Sequence, residues 1–261
     1  MLKLVKLFPQ YMLLPVIGGL ALLGVGIYMV LNGVSFLWAA LLLIIGCVIL
    51  YIIALSSAVG AHQDRIAWLY RDLEPERFLE KYSKLLPRAQ KYPEQEVTVR
   101  AHLANGHAAL GEFDKALELL DNAPKVDDQA LKILLLNNRA QIYFQTEQAD
   151  KGKECLDQMR VLIAEGGDQA RAQYAESERM LQCHYDALTS VCHDDAYLRT
   201  IVRDSTAALF RVNASLLLAR VYLSQGETEM ARSYLEETVE KGRDWLWPTQ
   251  KARQMLETMQ K

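Results

Sequence analysis

The stretch LANGHAALGEFDKALELL, residues 103–120, consists of two helix-patterned segments separated by a glycine. A later stretch, LARVYLSQGETEMARSYL at residues 218–235, repeats this arrangement. The positions that match are Ala104 with Ala219, Gly111 with Gly226, Ala116 with Ala231, and Leu120 with Leu235. Glycine commonly ends a helix because it adopts a positive φ without steric cost, and alanine lets two helices approach closely. Each stretch therefore predicts a helix, a glycine turn and a second helix.

A weaker copy of this pattern, AQIYFQTEQADKGKECL, occupies residues 140–156. It has Glu147 where the other copies have glycine, and Gly152 where they have their second alanine. Together the copies resemble the tetratricopeptide repeat (TPR), a helix–turn–helix unit that stacks into a superhelix. The resemblance covers residues 97–243 and includes a poorly matching unit within residues 168–208. It implies a TPR-like repeat domain over residues 97–261 that ends in a capping helix beginning at Trp247.

The chain before these repeats has a different character, because no Asp, Glu, Lys or Arg occurs between Lys6 and Asp64. A soluble domain needs charge on its surface, whereas an ionised side chain in a bilayer core costs about 2.5–3.5 kcal/mol. The uncharged stretch exceeds the roughly 20 residues of one crossing and is interrupted at Asn32-Gly33. We therefore predict a transmembrane helical hairpin in contact with the lipid bilayer through residues 11–55.

The predicted fold class is all-α, because strand patterns are absent and helical periodicity continues through the charged part of the chain. The predicted order is a transmembrane hairpin followed by a TPR-like helix–turn–helix solenoid. The predicted segments are residues 1–10, the hairpin 11–58 with spans 11–31 and 34–55, a juxtamembrane helical segment 59–96, and the repeat domain 97–261.

The cations around the hairpin predict its orientation. Lys3 and Lys6 precede the first span, and Arg65, Arg71 and Arg77 follow the second, whereas the turn between the spans has none. Positively charged residues stay on the cytoplasmic side of a membrane. We expect a multi-pass protein of the cell membrane with both termini in the cytoplasm.

Small residues recur at a seven-residue spacing along both predicted spans. The series are Gly19, Gly26 and Gly33 in the first half, and Ala40, Cys47 and Ala54 in the second. Such a stripe favours close, left-handed packing of helices in a membrane. Two alternatives remain open, packing of the hairpin on itself and contacts in a homo-oligomer.

The composition of the remaining chain excludes several functions. This part carries all 32 acidic residues and all but two of the 29 basic residues, without a basic tract, so no nucleic-acid partner is expected. It contains no phosphate-binding loop and no common catalytic motif, so we predict neither an enzyme nor a cofactor. Cys183-His184 and Cys192-His193 permit two interpretations, a zinc site or ordinary core packing. Their spacing fits no common zinc pattern, and no metal site is predicted.

A TPR-like domain without catalytic residues is expected to bind proteins or peptides in its concave groove. Family members that bind a C-terminal carboxylate use a lysine and an asparagine in the first repeat. Asn105 stands at the asparagine position, but Ala101 replaces the lysine, so this clamp is not expected. The resemblance places the following side chains toward that groove: Asn105, Asn138, Gln141, Phe144, Asn213 and Arg220. The predicted function is a membrane-anchored adaptor or scaffold at the cytoplasmic face. The alternatives are a membrane-complex subunit that acts through its hairpin, and a metal-dependent enzyme.

Overall fold

The computed structural model describes residues 8–189, 192 and 194–259. The described residues form helices and turns without a β-strand, which confirms the all-α prediction. The chain divides into two compact units, with the boundary after Ile66.

The first unit is built on two apolar helices. A short 3₁₀ helix, Pro9–Met12, leads into α1 (Leu13–Leu31), and a turn with Gly33 at φ 86° leads into α2 (Phe36–Tyr70). Two described helices, Gln10–Leu31 and Phe36–Tyr70, are long and apolar enough to cross a membrane. The second helix runs beyond the predicted span 34–55, so the predicted juxtamembrane segment begins inside α2 and not as a new helix.

Two reciprocal contacts between glycine and leucine hold α1 against α2. A Cβ atom placed on Gly18 would lie 2.5 Å from Leu50 Cδ1, and one placed on Gly46 would lie 2.5 Å from Leu22 Cδ1. Each leucine therefore occupies the space that the opposite glycine leaves free. Of the small residues that the sequence singled out, Gly19 faces Cys47, at 3.7 Å from a Cβ position to Sγ. The hairpin thus packs on itself through small residues.

The second unit contains a stack of antiparallel helix pairs. Its helices are α3 (Pro75–Tyr82), α4 (Leu86–Ala89), α5 (Pro93–Ala109), α6 (Phe113–Asp121), α7 (Gln129–Gln145), α8 (Ala149–Glu165), α9 (Gly167–Thr189), α10 (Asp195–Asp204), α11 (Ala208–Ser224), α12 (Thr228–Lys241) and α13 (Trp247–Met259). The pairs α5–α6, α7–α8 and α11–α12 correspond to the copies seen in the sequence. The pair α9–α10 corresponds to the intermediate unit that matches the pattern poorly.

The turns of the matching copies share one backbone conformation. Gly111 has φ 78°, Glu147 has φ 61° and Gly226 has φ 80°. Glu147 therefore adopts the left-handed conformation that normally favours glycine, although it carries a side chain. The weaker copy keeps the geometry of the turn without its usual residue.

The other departure of the weaker copy is an exchange of volume between two facing helices. A Cβ atom on Gly152 would lie 2.3 Å from Phe144 Cε1, so the Phe144 ring occupies the space of the missing methyl group. In the first copy the corresponding residues are Ala108 and Ala116, and both are buried. The weaker copy thus pairs a large side chain, Phe144 on α7, with glycine on α8, where the first copy pairs two alanines.

The last helix confirms the predicted start at Trp247 and reaches back to the first repeat. The Trp247 ring packs edge-on against Phe113, with centroids 5.3 Å apart, and lies on the turn at Gly111. Trp245 Nε1 donates a hydrogen bond to the Leu73 carbonyl at 3.0 Å. The end of the repeat unit therefore contacts its beginning.

Candidate binding groove

The first helices of the repeats converge on one small groove inside the second unit, here called the polar groove. Its walls come from the end of α2 and from α5, α7 and α11. The lining residues are Tyr70, Asn105, Ala108, Ala109, Asn138, Gln141, Ile142, Gln145, Leu209, Phe210 and Asn213. The structure thus brings together four of the predicted partner-binding residues, Asn105, Asn138, Gln141 and Asn213. None of the lining residues carries a formal charge.

One side of the polar groove is an aromatic wall. Asn105 Nδ2 donates to Tyr70 Oη at 2.9 Å, and the Tyr70 ring lies 5.3 Å from that of Phe210 between centroids. Phe210 remains 49% exposed, which is unusual for a phenylalanine in a repeat core. Aromatic residues, phenylalanine among them, are enriched at protein–protein interfaces relative to the rest of the surface.

Asn138 lies at the bottom of the polar groove and connects two repeats. It is 2% exposed, and its Nδ2 donates to the Ala101 carbonyl on α5 at 3.1 Å. Truncating such a buried hydrogen-bonding residue costs about 1–3 kcal/mol. Asn138 therefore contributes to the stability of the stack whether or not it contacts a partner.

The other amides have unused hydrogen-bonding capacity. Gln141 and Asn213 make no side-chain hydrogen bond within the described part of the chain. Gln145 Oε1 is buried and has no hydrogen-bond partner among the described residues. A buried acceptor without a donor is costly, so a ligand or water that supplies an N–H or O–H group would stabilise this site. The polar groove as a whole has a free volume of about 40 Å³, which admits a small polar group.

Arg220 lies outside this lining and pairs with another part of the chain. Its side chain is 11% exposed and its Nη2 donates to Glu147 Oε1 at 3.0 Å, while Lys251 Nζ lies 3.2 Å from the same oxygen. Burial lowers the pKa of Arg220, and the Glu147 carboxylate opposes that shift. This ion pair joins α11 and α13 to the turn of the α7–α8 repeat. Arg220 is thus placed to hold the repeats together.

Phe144 requires a correction, because it is fully buried and does not reach the polar groove. Its ring lies over Gly152 and stacks on the His184 ring, with centroids 6.1 Å apart and planes 5° from parallel. The side chain points into the α7–α8–α9 core because the small Gly152 leaves room there. A partner has no access to Phe144 in this structure.

The cysteine and histidine cluster has a packing explanation in the structure. Cys183 and Cys192 are buried in the same core between α9, α10 and α11. Burial, with Arg220 as the second cause, lowers the pKa of His184 to about 3. His193 lies outside the described residues. Among residues that are described, no group of three or more His, Cys, Asp or Glu side chains is arranged to hold a metal ion.

Comparison with known proteins supports the repeat assignment at one position. Residues 212–240 match the family model described as Tetratricopeptide repeat. This segment covers most of α11 and all but the last residue of α12, together with the turn at Gly226. This match and the helix pairs of the second unit fit a TPR-like domain. No curated protein and no solved structure matches the chain.

Tyr70, Phe210 and Gln145 also line the polar groove, although they were not predicted from the sequence. Helical spacing would have found two of them, because Gln145 follows Gln141 by four residues and Phe210 precedes Asn213 by three. Tyr70 gave no such signal, since it lies at the end of α2 and outside every repeat.

Proposed function

We propose that this protein is a membrane-anchored adaptor that binds a protein or peptide partner at its polar groove. The observation that carries this proposal is the convergence of Gln141, Gln145 and Asn213 with the exposed Phe210 ring. Their amides can satisfy the backbone of a partner, and the ring supplies apolar contact area. TPR-like domains generally mediate protein–protein interaction, which supports a scaffold and not a catalyst.

The apolar helices α1 and α2 support the membrane part of this proposal. We infer that they cross the cell membrane as a hairpin with both chain ends in the cytoplasm, since cations flank the pair and not its turn. The repeat unit would then face the cytoplasm.

Partner binding at the polar groove can be tested by changing lining residues that do not contribute side-chain hydrogen bonds to the fold. A Gln141→Ala, Asn213→Ala double variant and a Phe210→Ala variant should lose the proteins that co-purify with the wild type from detergent-solubilised membranes. Each lost interaction should weaken partner binding by about 1–3 kcal/mol. Glu236→Ala, at an exposed position on α12, is the matched control and should retain them. Unchanged partners in the groove variants would contradict the assignment.

A second candidate function rests on an open surface of the hairpin. Near its turn the two helices leave an apolar groove of about 390 Å³, lined by Gly26, Val30, Ala39, Ala40 and Leu43 among others. Such a surface suits a further transmembrane helix of a membrane complex or of a second copy. Replacing residues 8–58 by an unrelated two-span anchor should leave groove-dependent partners bound. Loss of all partners on this exchange would favour the hairpin as the functional surface.

A further inference from the structure

A second groove, here called the edge groove, lies on a different face of α7 from the polar groove. It has a volume of about 460 Å³. Lys132, Leu135, Leu136 and Arg139 of α7 form one wall, and Gln158, Val161 and Leu162 of α8 form the other. The four positions on α7 have the spacing i, i+3, i+4 and i+7, so they lie on one face of the helix. The apolar floor of the groove is formed by Leu135, Leu136, Val161 and Leu162. Val161 is 58% exposed, so this floor is open to solvent.

The edge groove is open because the preceding helix ends early. The second helices of the other matching repeats have 17 residues in α8 and 14 in α12, whereas α6 has 9. Proline at position 124 disfavours a helical conformation at the residue before it, so α6 stops at Asp121. The chain then has no helix until Gln129.

The last residues of α6 lie beside the end of the groove at Arg139. Leu120 of α6 packs in one cluster with Ile142, and Leu135 of α7 is partly buried against that cluster. About one turn nearer the start of α7 than Ile142, Arg139 Nη2 donates a hydrogen bond to the Leu120 carbonyl at 2.9 Å. The end of α6 therefore lies at Arg139, where the wall of the groove begins. Two further helical turns, about 11 Å, would cover the wall from Arg139 to Lys132.

The charges in the edge groove indicate what it would bind. Lys132 is exposed and has no ionic partner within the described part of the chain. Arg139 lies 3.0 Å from Asp121 through Nη2, but its Nε–H is buried and has no acceptor among the described residues. No carboxylate belongs to the lining. The groove therefore combines an apolar floor with two cations that lack a full set of acceptors.

We propose that the edge groove binds about two turns of an amphipathic helix from a partner protein, in the place where α6 would continue. Apolar side chains of that helix would lie on Leu135, Leu136 and Val161, and its carboxylates would face Lys132 and Arg139. This site is distinct from the polar groove, and the proposal does not depend on what the polar groove binds.

A designed peptide tests the edge groove directly. The probe is a fluorescein-labelled amphipathic helix of about four turns, with leucine at the i, i+3, i+4 and i+7 positions and glutamate beside them. Its binding is measured by fluorescence anisotropy to the full-length protein in lipid nanodiscs. We expect saturable binding that Val161→Glu and Lys132→Glu each weaken by about tenfold or more. A peptide with lysine in place of glutamate should also bind about tenfold more weakly.

Two matched variants control for general effects of added negative charge. Leu223→Glu changes an exposed leucine on α11, and Lys91→Glu changes an exposed lysine without a described ionic partner. Both should bind the peptide like the wild type, and circular dichroism should show equal helix content in all variants. The proposal is wrong if no saturable binding appears up to about 1 mM peptide. It is also wrong if the control variants weaken binding equally, or if Val161→Glu changes only the oligomeric state or the lipid association of the protein.

Discussion

Glu147 and Arg220 are 73 positions apart in the sequence, yet Arg220 Nη2 donates a hydrogen bond to Glu147 Oε1 at 3.0 Å. The carboxylate comes from a turn with φ 61°, and the guanidinium comes from a mostly buried position on α11. The non-glycine residue that weakens the second copy as a sequence match is therefore the one that joins it to the last repeat. This ion pair links the turn of the α7–α8 repeat to α11.

Deletion of residues 1–61 should leave a soluble, strongly helical protein, because the unit after Ile66 has its own cores. Circular dichroism and analytical ultracentrifugation of the fragment check this. Ala231→Trp in the fragment should lower the free energy of unfolding by about 1–3 kcal/mol, since Ala231 is fully buried. A β-rich spectrum, or wild-type stability of the tryptophan variant, would contradict the repeat fold.

Glu147→Gln should lower the free energy of unfolding of the fragment by about 1 kcal/mol, because Arg220 loses a charged acceptor and Glu147 itself is half-exposed. Glu147→Gly should be at least as stable as the glutamine variant. It loses the same pair but relieves a backbone conformation that costs about 1–2 kcal/mol, partly offset by the entropy of glycine. Urea titrations measure both values. Glu236→Gln serves as the exposed control. Equal stability of all variants would show that the Glu147–Arg220 pair does not stabilise the fragment.

Gly152→Ala should destabilise the fragment by about 1–3 kcal/mol, because the new methyl group would overlap the Phe144 ring. Phe144→Leu alone should also destabilise it, since it leaves space in the core. The double variant should be more stable than the sum of the single effects predicts, because a smaller side chain makes room for the methyl group. Additive effects in this double-mutant cycle would show that the two residues do not exchange volume.

The stability of the repeat unit should fall in acid through His184. Its pKa is lowered to about 3 in the folded state, so below the ordinary value of 6.5 the unfolded state binds a proton that the folded state does not. The contribution of His184 to the free energy of unfolding does not change above pH 6.5, and that free energy decreases as the pH falls from 6.5 toward 3. The slope is at most about 1.4 kcal/mol per pH unit. Denaturation at pH 7, 6 and 5 should show a smaller slope for His184→Phe than for the wild type, and equal slopes would contradict this role.

The orientation of the hairpin can be tested by labelling. Asn32 lies in the turn between α1 and α2, so a cysteine there, in a Cys47→Ala background, should react with an impermeant maleimide on intact cells. A reporter fused after Lys261 should report the cytoplasm. Labelling of position 32 only after permeabilisation would show the opposite orientation.

The sequence predicted the repeat register well because the decisive positions are local. Gly111 and Gly226 define left-handed turns, and Ala116 and Ala231 lie at close helix contacts, so a single stretch reveals each unit. The groove was predicted less completely. Asn105 and Asn213 follow from repeat register, but Tyr70 comes from a helix outside the repeats, and the burial of Phe144 depends on the absence of a side chain at Gly152. Contacts between distant elements, such as Arg220 with Glu147, have no local signal.

The hydrogen bond from Trp245 to the Leu73 carbonyl has a consequence for folding kinetics. Most solenoids make only neighbour contacts, so their ends fray independently and repeats can be added or removed. Here a contact over 172 positions joins the two ends of the stack. Loss of the last helix would therefore expose the first repeat as well, and unfolding should proceed as one cooperative transition without partly frayed intermediates. Closure of so long a loop also slows folding relative to an open array of the same length, because ordering it costs entropy before the contact forms.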